Sequence, residues 1–162
     1  MRLMAIEGIR VELPSNAPIV LLRETEGDGR VLPIFIGVPE ATAIQLELEG
    51  EVPPRPMTHD LMRDTLDELG VTVKQVVVTD LVDKTFYAEL HLELGEQTTV
   101  LSCRPSDALA LAVRVACPVY ASLSVLDAAA QVPEPDVEEQ DDDVVDEFRD
   151  FLDNVNPEDF GA

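Results

Sequence analysis

Between Thr85 and Leu94 the chain reads TFYAELHLEL, a strict alternation of apolar and polar side chains. A period of two sends alternate residues to opposite faces of a β-strand and cannot form the stripe of a helix. Phe86, Ala88, Leu90, Leu92 and Leu94 are expected to face a core, with Tyr87, Glu89, His91 and Glu93 turned outward. The flanking segments extend the pattern. VTVKQVVVTDLVD is a strand whose apolar phase slips at Lys74–Gln75, which predicts a bulge, and GEQTTVLSC returns after a turn at Gly95. Upstream, RLMAIEGIRVEL, IVLLRET and RVLPIFIG read as three more strands, the last two joined by the turn residues EGDG. RVLPIFIG is continuously apolar and is expected to be buried, with Pro33 marking an edge position or a bulge.

Three helical segments interrupt the strands. EATAIQLELEG carries a stripe of Ala41, Ile44 and Leu48 and stops at Gly50. THDLMRDTLDELG carries Leu61, Met62, Thr65, Leu66 and Leu69 and stops at Gly70. PSDALALAVRVA has almost no polar face, so it must be buried nearly all round. PVYASLSVL adds a short strand with room for a turn of helix. Strands that arrive in groups joined by tight turns define an α+β fold. Its mostly antiparallel sheet should hold about six to seven strands, packed with three main helices. No glycine-rich phosphate loop is present, because the GDG turn is not followed by a helix.

Hydrophobic residues make up 46% of the 162 residues and aromatics only 4%, so the core must be aliphatic. No apolar run is long enough to cross a membrane, and the N-terminal stretch carries Glu7 and Glu12 rather than a signal segment. A soluble, cytoplasmic protein is the expectation. The net charge is −22. Thirteen of the 33 acids and one of the 11 bases, Arg149, lie in Pro133–Ala162, so that segment carries −12 and residues 1–132 carry −10. An acidic body argues against a broad nucleic-acid groove, which needs many Lys and Arg contacts. It leaves room for a compact site where two arginines or a metal meet one phosphodiester.

The composition divides the chain into a domain over residues 1–130 and an acidic linker with a C-terminal helix over residues 131–162. PEPDVEEQDDD is solvated linker. VVDEFRDFLDNV recovers a helical stripe of Val144, Val145, Phe148, Phe151, Leu152 and Val155, and such a helix on a tether wants a groove. That groove belongs to the same chain, to a neighbouring subunit in a homo-oligomer, or to a protein partner. Cys103 and Cys117 flank one helix without any CxxC spacing and are expected as buried thiols. His91, between Glu89 and Glu93, reads as part of an exposed charged stripe.

Two stretches repeat each other: PRPMTHDL and CRPSDALAL. Each sets Arg-Pro ahead of a hydroxyl residue, an Asp and an apolar helix. Capping accounts for part of this. Thr58 and Ser106 would cap the helices, and Asp60 and Asp107, like Glu40 in the helix before, would meet the helix dipole. Capping accounts poorly for Arg55 and Arg104, since a cation at a helix N-terminus faces an unfavourable dipole and wants a carboxylate or phosphate. Arg104 could pair with Glu40 or Asp60 across the fold. His59 sits beside Asp60, where it is either polar surface or a base.

LPIFIG followed by EA, then PRPMTHDL, TFYAEL and RPSDALALAVR, in that order, resemble the bifunctional nuclease domain family over residues 1–130. The resemblance implies an α+β domain with nuclease activity on RNA and DNA. It carries Glu40, Arg55, Thr58, His59, Asp60, Arg104, Ser106 and Asp107 as motif positions. One departure stands out, because Ser102 occupies a place where the family pattern has an acid. On that basis the chain is expected to hydrolyse phosphodiesters of RNA or single-stranded DNA. Arg55 and Arg104, helped by Thr58 and Ser106, would hold the phosphate. His59 would move the proton, and Glu40, Asp60 and Asp107 would hold Mg2+ or Mn2+ through oxygen. The alternative is a non-catalytic interaction or regulatory module whose Arg-Pro boxes are helix caps.

Overall fold

The computed structural model describes residues 1–133, so the expected C-terminal helix and nearly all of the acidic linker lie outside the described residues. Three strands open the chain, β1 (Arg2–Glu12), β2 (Ala17–Glu24) and β3 (Val31–Phe35), followed by helices α1 (Val38–Leu48) and α2 (Thr58–Glu68). Three more strands follow, β4 (Thr72–Val82), β5 (Thr85–Leu94) and β6 (Gln97–Cys103). Helix α3 (Pro105–Val115), the short strand β7 (Val119–Ala121) and helix α4 (Leu123–Ala129) end it. The fold is α+β, with one seven-stranded sheet in the order β3-β2-β1-β7-β4-β5-β6. Every pairing is antiparallel except β4 with β7.

Local chemistry explains the irregularities. The register of β4 against β5 shifts between Val73 and Gln75, the bulge that the slipped apolar phase predicts. Pro33 sits in β3, an edge strand, where its missing N–H leaves no ladder bond unmade. The same edge position overturns the expectation of full burial for β3. Leu32 and Ile34 are buried, but Phe35 is exposed. The fourth helix, α4, exceeds the single turn expected, because the Ser122 hydroxyl accepts a bond from the Val125 N–H at 3.2 Å and caps it.

The helices depart from their expected faces. In α1 the buried residues are Ala41, Ala43 and Ile44, while Leu48 is exposed. In α2 the expected apolar face is turned outward. Leu61, Met62 and Leu69 are exposed, Leu66 is half-buried, and the buried residues are His59 and Asp60. An apolar stripe at helical spacing marks a face but not its cover. Helix α3 behaves as its composition requires, with Pro105, Ser106 and the run Ala108–Ala112 buried. Cys103 and Cys117 are free and half-buried rather than fully buried, and burial pushes both thiols up, away from reactivity.

Two arginines, Arg114 and Arg30, lock the frame through three ion pairs. Arg114 of α3, 2% exposed, donates from Nε to Asp60 Oδ1 of α2 at 2.7 Å. Its Nη1 bonds the Ala110 carbonyl of its own helix at 2.7 Å, and its Nη2 bonds the Ala43 carbonyl of α1 at 3.1 Å. One guanidinium therefore joins three helices. Elsewhere the buried Glu24 carboxylate receives Arg30 through Nε at 3.0 Å and Nη2 at 2.9 Å, and Arg30 reaches Asp127 of α4 at 2.8 Å.

The Arg30 hydrogen bonds outweigh the upward push of burial and hold the Glu24 carboxyl below its ordinary value of 4.5. A carboxyl depressed by folding contributes stability that is complete above its unfolded value and fades as pH falls toward the folded one. The stability difference between the wild type and Glu24→Gln should therefore be constant at neutral pH. It should shrink as the solution is acidified through 4.5 and below. Urea unfolding of both proteins across that range checks this. A difference that does not change with pH would contradict it.

Candidate functional site

Glu40, Asp60 and Asp107 each occupy the third position of a helix: α1, α2 and α3 respectively. A carboxylate there complements the dipole, but only Asp60 spends itself on the cap. Its Oδ2 accepts the Met57 N–H at 2.8 Å, and its Oδ1 takes Arg114. Burial alone would raise the Asp60 carboxyl, and these partners together hold it below its ordinary value of 3.8.

The two Arg-Pro boxes are not structural repeats. Arg104 is itself the N-cap residue of α3, with Pro105 opening the helix. Arg55 and Pro56 lie outside α2, whose N-cap is Met57. Thr58 and Ser106 are helical residues, not caps, and neither cap position receives a side-chain capping bond from them. Capping therefore does not explain the hydroxyls.

What the structure assembles is a cluster around Arg104. Its Nε meets Asp107 Oδ2 at 2.6 Å and its Nη2 meets Asp107 Oδ1 at 2.8 Å, a bidentate pair. The same Nη2 reaches Glu40 Oε1 at 2.7 Å, from the other helix. Arg104 keeps 67% of its side chain exposed, while Glu40 and Asp107 keep 13% and 30%. Asp107 first, and then Glu40, push the guanidinium's pKa up, so it remains a cation at any working pH. Nη1 bonds none of the described residues, which leaves one edge of the guanidinium open to solvent. His59 Nε2 lies 3.7 Å from Asp107 Oδ1, with the His59 side chain 10% exposed. Glu40, Arg104, Asp107 and His59 thus form one polar cluster, built on the starts of α1, α2 and α3.

Asp60 lies next to this cluster in sequence but is turned to Arg114. Arg55 is exposed and makes no ion pair or hydrogen bond among the described residues, and Thr58 is exposed as well. Of the three carboxylates expected to hold a divalent cation, Glu40 and Asp107 meet at Arg104, while both oxygens of Asp60 are engaged by Met57 and Arg114. Among the described residues no group of three or more His, Cys, Asp or Glu side chains is placed to hold a metal ion.

Sequence reasoning missed Gly37, the N-cap residue of α1. A Cβ there would stand 2.3 Å from Glu40 Oε2. The glycine is what lets the Glu40 carboxylate fold back toward Arg104. The clashing atom is the far end of a flexible side chain, so Gly37→Ala should displace the carboxylate rather than unfold the domain. The expected result is a stability change within about 1 kcal/mol and a crystal structure in which Glu40 no longer reaches Arg104. An unchanged Glu40 rotamer would contradict this account.

β3 and β6 are opposite edges of the sheet, yet Phe35 at the end of β3 and Arg104 just after β6 border one cleft. The sheet curls until its edges flank the starts of α1 and α3. The cleft holds about 370 Å³ and is completed by the β4–β5 turn with Lys84 and Phe86, and by Ser106.

The sequence of this α+β domain can be set beside known families. The family model described as the bifunctional nuclease domain matches residues 20–134, and the chain belongs to that family. Over 162 residues it is 47% identical to an uncharacterized protein of Mycobacterium tuberculosis, covering 97% of this chain and 96% of that one. It is 31% identical to bifunctional nuclease 2 of Arabidopsis thaliana over 112 residues, 66% of this chain and 34% of the relative. It is 27% identical to bifunctional nuclease 1 of Oryza sativa subsp. indica over 114 residues, again 34% of the relative. The chain thus spans about a third of the length of these plant relatives. Among the described residues no helix is long and apolar enough to cross a membrane.

Proposed function

We propose that the chain is a phosphodiesterase of nuclease type, acting on RNA or single-stranded DNA at the Arg104 cluster. The observation that carries this reading is the exposure of Arg104. A purely structural ion pair is enclosed with its remaining donors satisfied, as Arg114 with Asp60 illustrates. Arg104 is instead fixed by two carboxylates through Nε and Nη2, keeps 67% of its side chain exposed and lines a cleft. A guanidinium oriented in advance can stabilise negative charge that develops on a phosphoryl oxygen without reorganising at that moment. His59, held near Asp107, is the group that would take or return a proton. Asp107 and Glu40 position Arg104, and Arg55 would meet a phosphate further along the strand. Asp60 supports the site by holding α2 against α3. The three acids do not form one metal-ligand set, and no step here is routed through a cation.

The acidic body, at −10 over residues 1–132, supports the second reading, a non-catalytic interaction module. One experiment separates the two. Labelled RNA and single-stranded DNA are incubated with the full chain in Mg2+, in Mn2+ and in EDTA, beside an Arg55→Ala/Arg104→Ala double variant. Cleavage by the wild type that the double variant lacks is the expected result. Equal trace activity in both would identify a contaminant and leave the module.

A further inference from the structure

The cleft beside Arg104 contains more than a phosphate anchor requires. Among the described residues the chain has two phenylalanines, Phe35 and Phe86, and both line this one cleft. Phe35 is 56% exposed on the outermost strand, in a chain with only 4% aromatics. The cleft also receives Lys84, one of two lysines in the whole chain. The other, Lys74, is paired with Glu93 at 3.5 Å, whereas Lys84 has no acidic partner among the described residues. Lys84 sits in the two-residue turn between β4 and β5, where Asp83 and Lys84 have φ of 48° and 64°. Glycine is the cheapest residue at such a position, so the lysine there supplies a charge, not a turn preference. A volume of about 370 Å³ lies in the range of small-molecule sites.

We infer that this cleft is a nucleotide subsite, with one unpaired base stacked on Phe35 against Phe86 and the adjoining phosphate held between Lys84 and Arg104. The inference rests on the reading of Arg104 as a phosphate-facing group and adds a base-binding site beside it. A base can reach an aromatic face in a side cleft only when it is splayed from its strand, so the site selects single-stranded over duplex substrate. Lys84, Arg104 and Arg55 in an acidic body also mean a shallow salt dependence. The slope of log K against log salt should be no steeper than about −2.

Fluorescence polarisation of a 5′-labelled single-stranded DNA hexamer in EDTA tests binding without relying on turnover. Cleavage of the same hexamer is followed separately. Lys84→Gln and Phe35→Ala should each weaken binding by about fivefold or more, while Lys84→Arg binds like the wild type. Phe35 and Lys84 are exposed, and thermal melts confirm that each variant is folded. Weakened binding in both variants with no cleavage by any sample sustains the cleft and overturns the nuclease reading. Cleavage by the wild type with binding unchanged in both variants overturns the cleft and leaves the nuclease. Absence of hexamer binding by the wild type overturns the cleft outright.

Discussion

Asp60→Ala should destabilise the domain by about 3–5 kcal/mol, the cost of stripping one partner from a buried ion pair. Arg114 is 2% exposed and cannot be deprotonated at ordinary pH, so without Asp60 its charge would stay in the interior with only two carbonyls for company. The loss also frees the Met57 N–H at the start of α2. Asp60→Asn should cost less, because an amide oxygen can still accept from Arg114. Equilibrium urea unfolding of the three proteins measures this. A loss near zero for Asp60→Ala would mean that Arg114 finds water, and that α2 is not anchored as described. The same substitution would lower any activity by disordering the helix that bears His59, so activity alone cannot assign Asp60 to the chemistry.

Arg104→Ala should behave in the opposite way. Arg104 is 67% exposed although Glu40 is only 13% exposed, and a pair with one solvated partner is worth about 1 kcal/mol, so the melting curve should move little. If the guanidinium stabilises charge on the phosphoryl group, cleavage should fall by about 10²–10³-fold, the cost of removing one oriented donor. Arg104→Lys keeps the charge but loses the bidentate grip on Asp107 together with the reach to Glu40, and should recover little. Stability that falls with activity would make Arg104 a structural residue.

The sheet was largely legible. Alternation in β5, the phase slip at Lys74–Gln75 and Pro33 on an edge strand are each direct products of backbone geometry, and the structure contains all three, except that Leu94, expected to face the core, is exposed at the end of β5. The helices were legible as segments, and α3 also as a buried helix, but the face of α2 was not. Leu61, Met62 and Leu69 form a stripe that one sequence reads as core, whereas the side of α2 packed inward is the one with His59 and Asp60. Arg114 is the reason. A single arginine in the apolar run of α3 must find a carboxylate, and that need draws the polar side of α2 inward.

The site was legible in part for a similar reason. Glu40 was one of two partners for Arg104 open from sequence, whereas the bidentate pair with Asp107, three residues on, was not read there. The convergence of Phe35, Lys84 and Arg104 depends on how far the sheet curls, a global property that no short motif encodes. The echo between the two Arg-Pro boxes was misleading, because shared residue types do not fix a shared position relative to the helix start.

The most direct test places the phosphate. Arginine side-chain NMR of the full chain, titrated with a non-cleavable phosphorothioate tetranucleotide, reports each guanidinium separately. The account predicts that the Arg104 Nε–H resonance shifts with saturation while that of Arg114, buried against Asp60, stays still. An Arg104 resonance unmoved at saturating ligand would contradict it.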